Sequence, residues 1–306
     1  MHHSEFLQLM RSLYATLLQR ISTVSTHISC ISSVVTSMPS TSVSPGEVPT
    51  ALSDLLSSVT ELANSRASSV ISLRSAEHAQ LGLPAFLDLF NESWAFVVRC
   101  EVIARRMIVG LRGVVVSQAK LFLQAFHQHR ISDSAKMVED EVWGQVEVSP
   151  ESQRQVDIIV NAAVSNPMEL LLKSDPSSGS RVNGSAIQGI PPSGRAKQPN
   201  AKLLIIEERS YYVVGATLQV MELVVDYLKV IVNISLLTTD TMSKVIEFLK
   251  VCLTTGFSFD GCQPLFSSLV FQLPNLPSCP RCRGNALGWI EEHYGQTSRQ
   301  VFMFGS

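Results

Sequence analysis

The side chains best suited to metal chemistry lie between positions 127 and 147. His127 and His129 end an apolar helical stretch. Four acidic residues follow: Glu139, Asp140, Glu141 and Glu147. Zinc and di-metal sites on helices use fixed spacings such as HExxH or ExxH. His127 and His129 are two positions apart and so point to different helix faces, which disfavours a metal site here.

A second candidate for metal binding is the cysteine pair Cys279 and Cys282. A zinc module needs four ligands, usually a second pair at a set distance. Only Cys262 and His293 are available, and their spacing is awkward, so the pair is a weak candidate. The remaining cysteines are scattered, and no secretory signal opens the chain, so we expect reduced thiols in the cytosol and no bound cofactor.

Enzyme motifs are missing from the sequence. We find no GxSxG, Walker loop, GxGxxG or HExxH pattern, and the segment Gly256-Phe-Ser258 lacks the closing glycine of a nucleophile elbow. The net charge of −2 gives no global attraction to nucleic acid. With 45% hydrophobic and 16% charged residues, the chain is typical of a protein whose surface is covered by partners, and we do not expect an enzyme.

Positive charge is concentrated on one predicted helix. Arg99, Arg105, Arg106 and Arg112 form a basic face. Such a face is usually solvated, and a phosphoinositide site is the less favoured alternative.

Helical periodicity dominates the N-terminal half. Residues 4–37 keep an apolar alternation of four and three steps, ending in prolines at 39 and 45. The positions beside this apolar face carry Ser and Thr, which favours a bundle helix over a coiled coil. A second helix is predicted from 49 to about 75, with apolar residues facing inward. The two predicted faces contain Met10, Tyr14, Leu17, Ile21, Val24, Ile28, Ile31 and Val35, and Leu52, Leu55, Leu56, Val59, Leu62 and Ala63.

The stretch 203–253 predicts a helical hairpin preceded by a short extended piece at 203–206. Val214, Leu218, Met221, Val225 and Leu228 are expected to pack on the second helix at Met242, Ile246 and Leu249. Charged residues on the first helix exclude a membrane span. A two-helix hairpin leaves apolar surface uncovered, so we expect four outer positions to be partly exposed: Val220, Leu223, Val224 and Ile231.

Between these regions, residues 114–130 predict a helix, followed by a short acidic helix ending in Trp143 and an extended piece at 146–150. Trp143 is expected to anchor the acidic helix. The composition of 165–201 predicts a disordered linker. The predicted fold is therefore all-α, an elongated helical bundle with a poorly structured C-terminal tail. Its expected parts are residues 1–164, 165–201, 202–253 and 254–306.

Two blocks of sequence resemble a known family. The first contains Phe126, His127 and Arg130, then Glu141 and Trp143; the second contains Val213, Val214 and Gly215, then Thr238, Thr239 and Asp240. In this order around a linker, they resemble the middle of the vacuolar protein sorting-associated protein 54 family. The chain departs from the family pattern where Ser149 is inserted before Pro150 and Ser152 replaces a phenylalanine. The resemblance fades after about residue 253.

The resemblance implies a function in vesicle tethering. Members of this family are subunits of the Golgi-associated retrograde protein (GARP) complex, which captures endosome-derived vesicles at the trans-Golgi network. It implies a helical bundle of the tethering-complex type, other GARP subunits as partners, and SNARE proteins and vesicles as further candidates. It also implies peripheral association with Golgi membranes from the cytoplasm, and structural roles for the motif residues, including Thr239 and Asp240 as a helix cap. The alternative is a generic helical scaffold or adaptor outside vesicle tethering.

Overall fold

The computed structural model describes residues 1–37, 47–142, 144–162, 168–172 and 201–255, without the side chains of 253–255. Trp143, most of the predicted linker and the whole tail with Cys279 and Cys282 lie outside these residues. Within them the chain is almost entirely helical, which confirms the predicted all-α class. No helix in these ranges is long and apolar enough to cross a lipid bilayer.

The chain divides into two compact units, residues 1–126 and 127–306. The first unit is built from the helices α1 (His3–Ser37), α2 (Glu47–Ser72), α3 (Ser75–Ala79) and α4 (Leu83–Ala104), and from the start of α5 (Val109–Glu139). α1 packs on α2 and α4, and α2 also contacts α4. Aromatic side chains fill the core: Tyr14 stacks on Phe96 with ring centroids 4.4 Å apart, and Phe86 stacks on Phe122 at 4.2 Å.

The predicted inward face of α1 is only half correct. Met10, Tyr14 and Ile21 are buried, whereas Ile31 is 47% exposed. α1 has 35 residues and α4 only 22. At 1.5 Å per residue, α4 is too short to cover the whole of α1.

The predicted inward face of α2 is wrong at two leucines. Leu55 and Leu62 are 52% and 57% exposed. The buried side is instead made largely of small and polar residues: Leu56, Ser57, Thr60, Ala63, Asn64, Ala67 and Ile71. The hydroxyl of Thr60 and the amide nitrogen of Asn64 each donate to a backbone carbonyl one turn back. Leu56 and Ala63 are buried as predicted. Because apolar periodicity relies mainly on large hydrophobic residues, it missed the small and polar part of this face and wrongly placed Leu55 and Leu62 inward.

The second unit contains the end of α5, α6 (Pro150–Ala162), a two-stranded sheet, α7 (Gly215–Asn233) and α8 (Thr238–Thr255). The separate acidic helix predicted before position 143 is wrong, since α5 continues to Glu139. Helix α6 was missed, because its first two turns are mostly polar. It buries Val156, Ile158, Ile159 and Ala162.

A small antiparallel sheet precedes α7. β1 (Leu204–Ile206) confirms the predicted extended piece, and it pairs with β2 (Arg209–Tyr211). The turn between them has positive φ at Glu207 and Glu208, the pattern of a type I′ hairpin turn. The extended piece near 148 is also present, where Val148 and Ala201 exchange two backbone hydrogen bonds.

The helical hairpin of α7 and α8 is confirmed, but its predicted open face is wrong. Val220, Leu223, Val224 and Ile231 are all buried, with at most 5% exposed. Besides α8, α7 packs against α6 and against a short 3-10 turn at Met168–Leu170. These two elements, which the sequence did not predict, enclose α7 within the second unit.

Candidate functional site

Three motif residues of the first sequence block, His127, Arg130 and Glu141, contact the α7–α8 hairpin within the second unit. His127 lies on α5 and is fully buried. Its Nδ1 is 2.7 Å from the hydroxyl oxygen of Tyr227 on α7, and its Nε2 is 3.4 Å from a carboxylate oxygen of Glu247 on α8. His127 therefore links three helices.

The protonation states of Tyr227 and His127 determine which ring nitrogen of the histidine accepts a hydrogen bond. Burial raises the pKa of Tyr227, so its hydroxyl keeps its proton and can donate to Nδ1. Burial also lowers the pKa of His127, although the Glu247 carboxylate partly opposes this. The neutral imidazole then accepts from Tyr227 at Nδ1 and carries its proton on Nε2, which lies near the Glu247 carboxylate without forming a hydrogen bond to it. In this arrangement His127 packs between helices and forms a hydrogen bond with Tyr227.

Arg130 makes the second connection. Its guanidinium lies 2.7 Å from the carboxylate of Asp226 on α7, and both side chains are about three-quarters covered. Asp226 also accepts from Lys229 at 2.9 Å, and Arg130 lies 3.5 Å from Asp133. Partial burial reduces screening by salt, so this ion pair is expected to be stronger than an exposed one.

Glu141 makes the third connection, at the N-terminus of α7. Val214, at the N-cap position, provides no side-chain cap, and the Glu141 carboxylate accepts a hydrogen bond from the backbone N–H of Ala216 instead. A Cβ added at Gly215 would lie 3.1 Å from that carboxylate. Glycine therefore allows the close approach, and the negative charge suits the helix N-terminus.

The remaining motif residues have simpler positions. Phe126 belongs to the first unit, where its ring is 5.9 Å from that of Phe122. Thr238 is already helical, and its hydroxyl donates to the carbonyl of Ser235 at 2.8 Å. Thr239 and Asp240 are exposed in the first turn of α8, where the negative charge of Asp240 interacts favourably with the helix dipole.

Sequence reasoning missed two residues of this junction. Tyr227 was not singled out because an aromatic residue on an apolar face gives no signal beyond burial. Asn233 was read only as part of a polar stripe. Its amide nitrogen donates to the carbonyl of Leu170 at 2.7 Å, and its amide oxygen accepts from the N–H of Leu172 at 3.0 Å. It thereby holds the 168–172 segment, which lies inside the predicted linker, against α7.

The junction offers no arrangement for metal chemistry. His127 is committed to Tyr227 and Glu247, and His129 is exposed on another side of α5. No cluster of three or more potential metal ligands occurs among the residues that the structure describes. What the geometry provides is a rigid connection between helices distant in sequence.

We expect Glu141 to contribute measurable stability through its cap. Glu141→Ala should lower the free energy of unfolding by about 1 kcal/mol, the usual cost of losing a helix cap. Urea denaturation followed by circular dichroism measures this. The matched control is Glu139→Ala, which removes an exposed carboxylate two residues earlier. Equal stability of both variants would contradict the capping role.

The curated proteins similar to this chain share one protein name. Vacuolar protein sorting-associated protein 54 of Rattus norvegicus is 23% identical over 233 residues, which cover 76% of this chain and 22% of the rat protein. The human protein of the same name is 24% identical over the same share of the chain. An Arabidopsis thaliana relative, named as chloroplastic, is 27% identical over 93 residues, 30% of this chain and 9% of its own length.

No family model matches the chain, and no solved structure matches it. The chain spans only about a fifth of the length of its mammalian relatives. Even so, the relatives carry the name that the two motif blocks indicated. The predicted resemblance is therefore confirmed: over 76% of its length, this chain is similar to a segment of vacuolar protein sorting-associated protein 54.

Proposed function

We propose that the chain acts as a subunit of a multisubunit vesicle-tethering complex of the GARP type, in retrograde transport from endosomes to the trans-Golgi network. One observation carries the proposal. Three motif residues of the first block contact the helix α7 that the second block begins, through His127 with Tyr227, Arg130 with Asp226, and Glu141 with Ala216. The motif blocks therefore belong to one folded structure, as expected for a real member of the family.

The surface of the first unit supports an assembly role. Toward the end of α1, Ile31 and Val34 are 47% and 52% exposed, and Leu55 and Leu62 are exposed on α2. Apolar side chains at the core of protein interfaces are covered by partners. We propose that other subunits of the complex cover this end of the α1–α2 pair. Peripheral attachment to Golgi membranes and contacts with SNARE proteins and endosome-derived vesicles belong to the same proposal.

Affinity purification of the full chain from its own cells tests the proposal. Sister subunits of the tethering complex should co-purify. Recovery of unrelated partners alone would instead favour the generic scaffold function.

Paired variants test the proposed surface. Ile31→Asp with Val34→Asp should reduce recovery of the sister subunits at least tenfold, because two apolar contacts become charged. Ser29→Asp with Ser33→Asp is the matched control, since it adds the same charge at exposed polar positions of the same helix. Equal recovery with both pairs would contradict a partner on this surface.

A further inference from the structure

The turn between α4 and α5 carries an unusual combination of exposed side chains. Val102, Met107 and Val109 are 71%, 68% and 71% exposed. Arg99, Arg105 and Arg106 are exposed beside them in sequence. We name these six residues the α4–α5 corner. Arg99 and Val102 are three positions apart on α4, so they share one face near its end.

The arginines of the α4–α5 corner are not neutralised by the nearest acid. Glu101 already accepts from both sides of the Arg112 guanidinium, at 3.0 and 2.6 Å, and from the N–H of Ile108 at 3.2 Å. Arg112 also lies over the ring of Trp94, 4.7 Å from its centre. None of the three corner arginines forms an ion pair within the described residues. Four arginines against one glutamate leave a local charge of +3 in a chain of net charge −2.

The α4–α5 corner is held in a fixed shape. Ile108 is buried between the exposed Met107 and Val109 and anchors the turn. Arg105 closes α4 in the left-handed region, with φ of 51°. Glycine or asparagine usually takes this position, because a side chain there is unfavourable. An arginine at this unfavourable position points to a function for its charge.

We infer that the α4–α5 corner binds the surface of an anionic lipid membrane. Met107 and Val109 would insert at the level of the lipid headgroups while the arginines contact lipid phosphates. Six residues are too few for a standard protein interface, which uses about 20–30 residues on each side. They are enough for an interfacial anchor, whose strength comes from a few apolar side chains and local positive charge. This inference is argued from the corner itself, and it rests on the proposed function in that it names a site for the peripheral membrane attachment proposed above.

Vesicle flotation with the full chain tests the charge. The chain should float with vesicles of phosphatidylcholine and phosphatidylserine and much less with phosphatidylcholine alone. Arg99→Ala, Arg105→Ala and Arg106→Ala together should reduce partitioning about a hundredfold, at about fivefold for each arginine. The matched control replaces three exposed arginines elsewhere, Arg20→Ala, Arg66→Ala and Arg209→Ala, and should float like the unchanged chain.

A second pair of variants tests the apolar contribution without changing charge. Met107→Ser with Val109→Ser should weaken flotation at least tenfold. Leu73→Ser with Leu121→Ser, at positions 83% and 41% exposed, should not. Flotation that survives the arginine or the Met107 and Val109 changes, or that is lost equally in the controls, would place membrane binding elsewhere and overturn the inference. Failure to float with either vesicle would also overturn it and would favour an acidic protein as the ligand. Co-purification of sister subunits is a separate readout, so neither result decides the other.

Discussion

A fragment of residues 201–306 should be molten or aggregated, whereas a fragment of residues 127–306 should be a folded monomer. The longer fragment is one compact unit and contains α6, which packs on α7. The shorter one lacks α6 and the 3-10 turn at Met168–Leu170. Without them, Val220, Leu223, Val224 and Ile231 lose cover and form an apolar patch that favours association.

The expected size of this effect is large. α6 buries Val156, Ile158 and Ile159, and burying each such side chain stabilises by roughly 2 kcal/mol. The loss of about 6 kcal/mol is comparable to the whole stability of an ordinary domain, about 5–15 kcal/mol. Amide proton–nitrogen NMR spectra and sedimentation velocity distinguish the outcomes. If the shorter fragment gave a dispersed spectrum and sedimented as a monomer, residues after 253 would have to cover the apolar face of α7 in place of α6.

Ile159→Asp in the longer fragment offers an independent check. It places a charge at a position only 2% exposed and should reproduce the molten behaviour without shortening the chain. Asp157→Asn, on the exposed side of the same helix, is the control and should leave the spectrum dispersed.

Acidification should destabilise the first unit through His78. This side chain is fully buried, and within the described residues neither ring nitrogen has a hydrogen-bond partner. Its ring packs 5.2 Å from that of Phe6. Burial lowers the pKa of His78 from 6.5 to about 4; the positive charges of Arg74 and His3 act in the same direction, while Gln118 and Glu77 oppose them.

The sign of the pH dependence follows from these two pKa values. Between pH 6.5 and about 4 the unfolded chain binds a proton at His78 that the folded chain does not. The contribution of neutral His78 to the free energy of unfolding is therefore fully present above pH 6.5 and is lost as the pH falls toward 4. At 1.36 kcal/mol for each pKa unit, the loss is about 3 kcal/mol. His127 contributes in the same direction in the second unit, because burial lowers its pKa too.

Urea denaturation at a series of pH values measures this effect. His78→Leu should flatten the profile between pH 6.5 and 4, leaving the part that carboxylates cause. His27→Leu removes an exposed histidine and should keep the original slope. An unchanged slope in His78→Leu would show that His78 titrates normally in the folded chain.

Large apolar residues in regular spacing made much of the fold predictable. The α7–α8 hairpin and the first half of α1 follow this rule, and Met10, Ile21 and Leu228 are buried as expected. Prediction failed where burial depends on small or polar side chains. Thr60, Asn64 and Ala67 are buried on the inner side of α2, and the first two turns of helix α6 are mostly polar, so neither of these features gives an apolar signal.

The candidate site was predictable only as a set of motif residues. Their contacts were not, because His127 and Tyr227 are 100 positions apart and Glu141 and Ala216 are 75 apart. No periodicity relates positions at such separations. The pairing depends on the tertiary fold, and Tyr227 and Asn233 became recognisable only when α5 and the 168–172 segment were placed against α7.

The Val148–Ala201 pairing and the Asn233 amide together have an evolutionary consequence. Leu172 is held by Asn233 and Ala201 by Val148, so both ends of the intervening chain are fixed by contacts that do not depend on its length. Doubling the length of a loop with fixed ends costs only about 0.6 kcal/mol. Insertions and deletions between positions 172 and 201 are therefore nearly neutral for stability, and relatives should diverge most in length there while they keep the residues on either side.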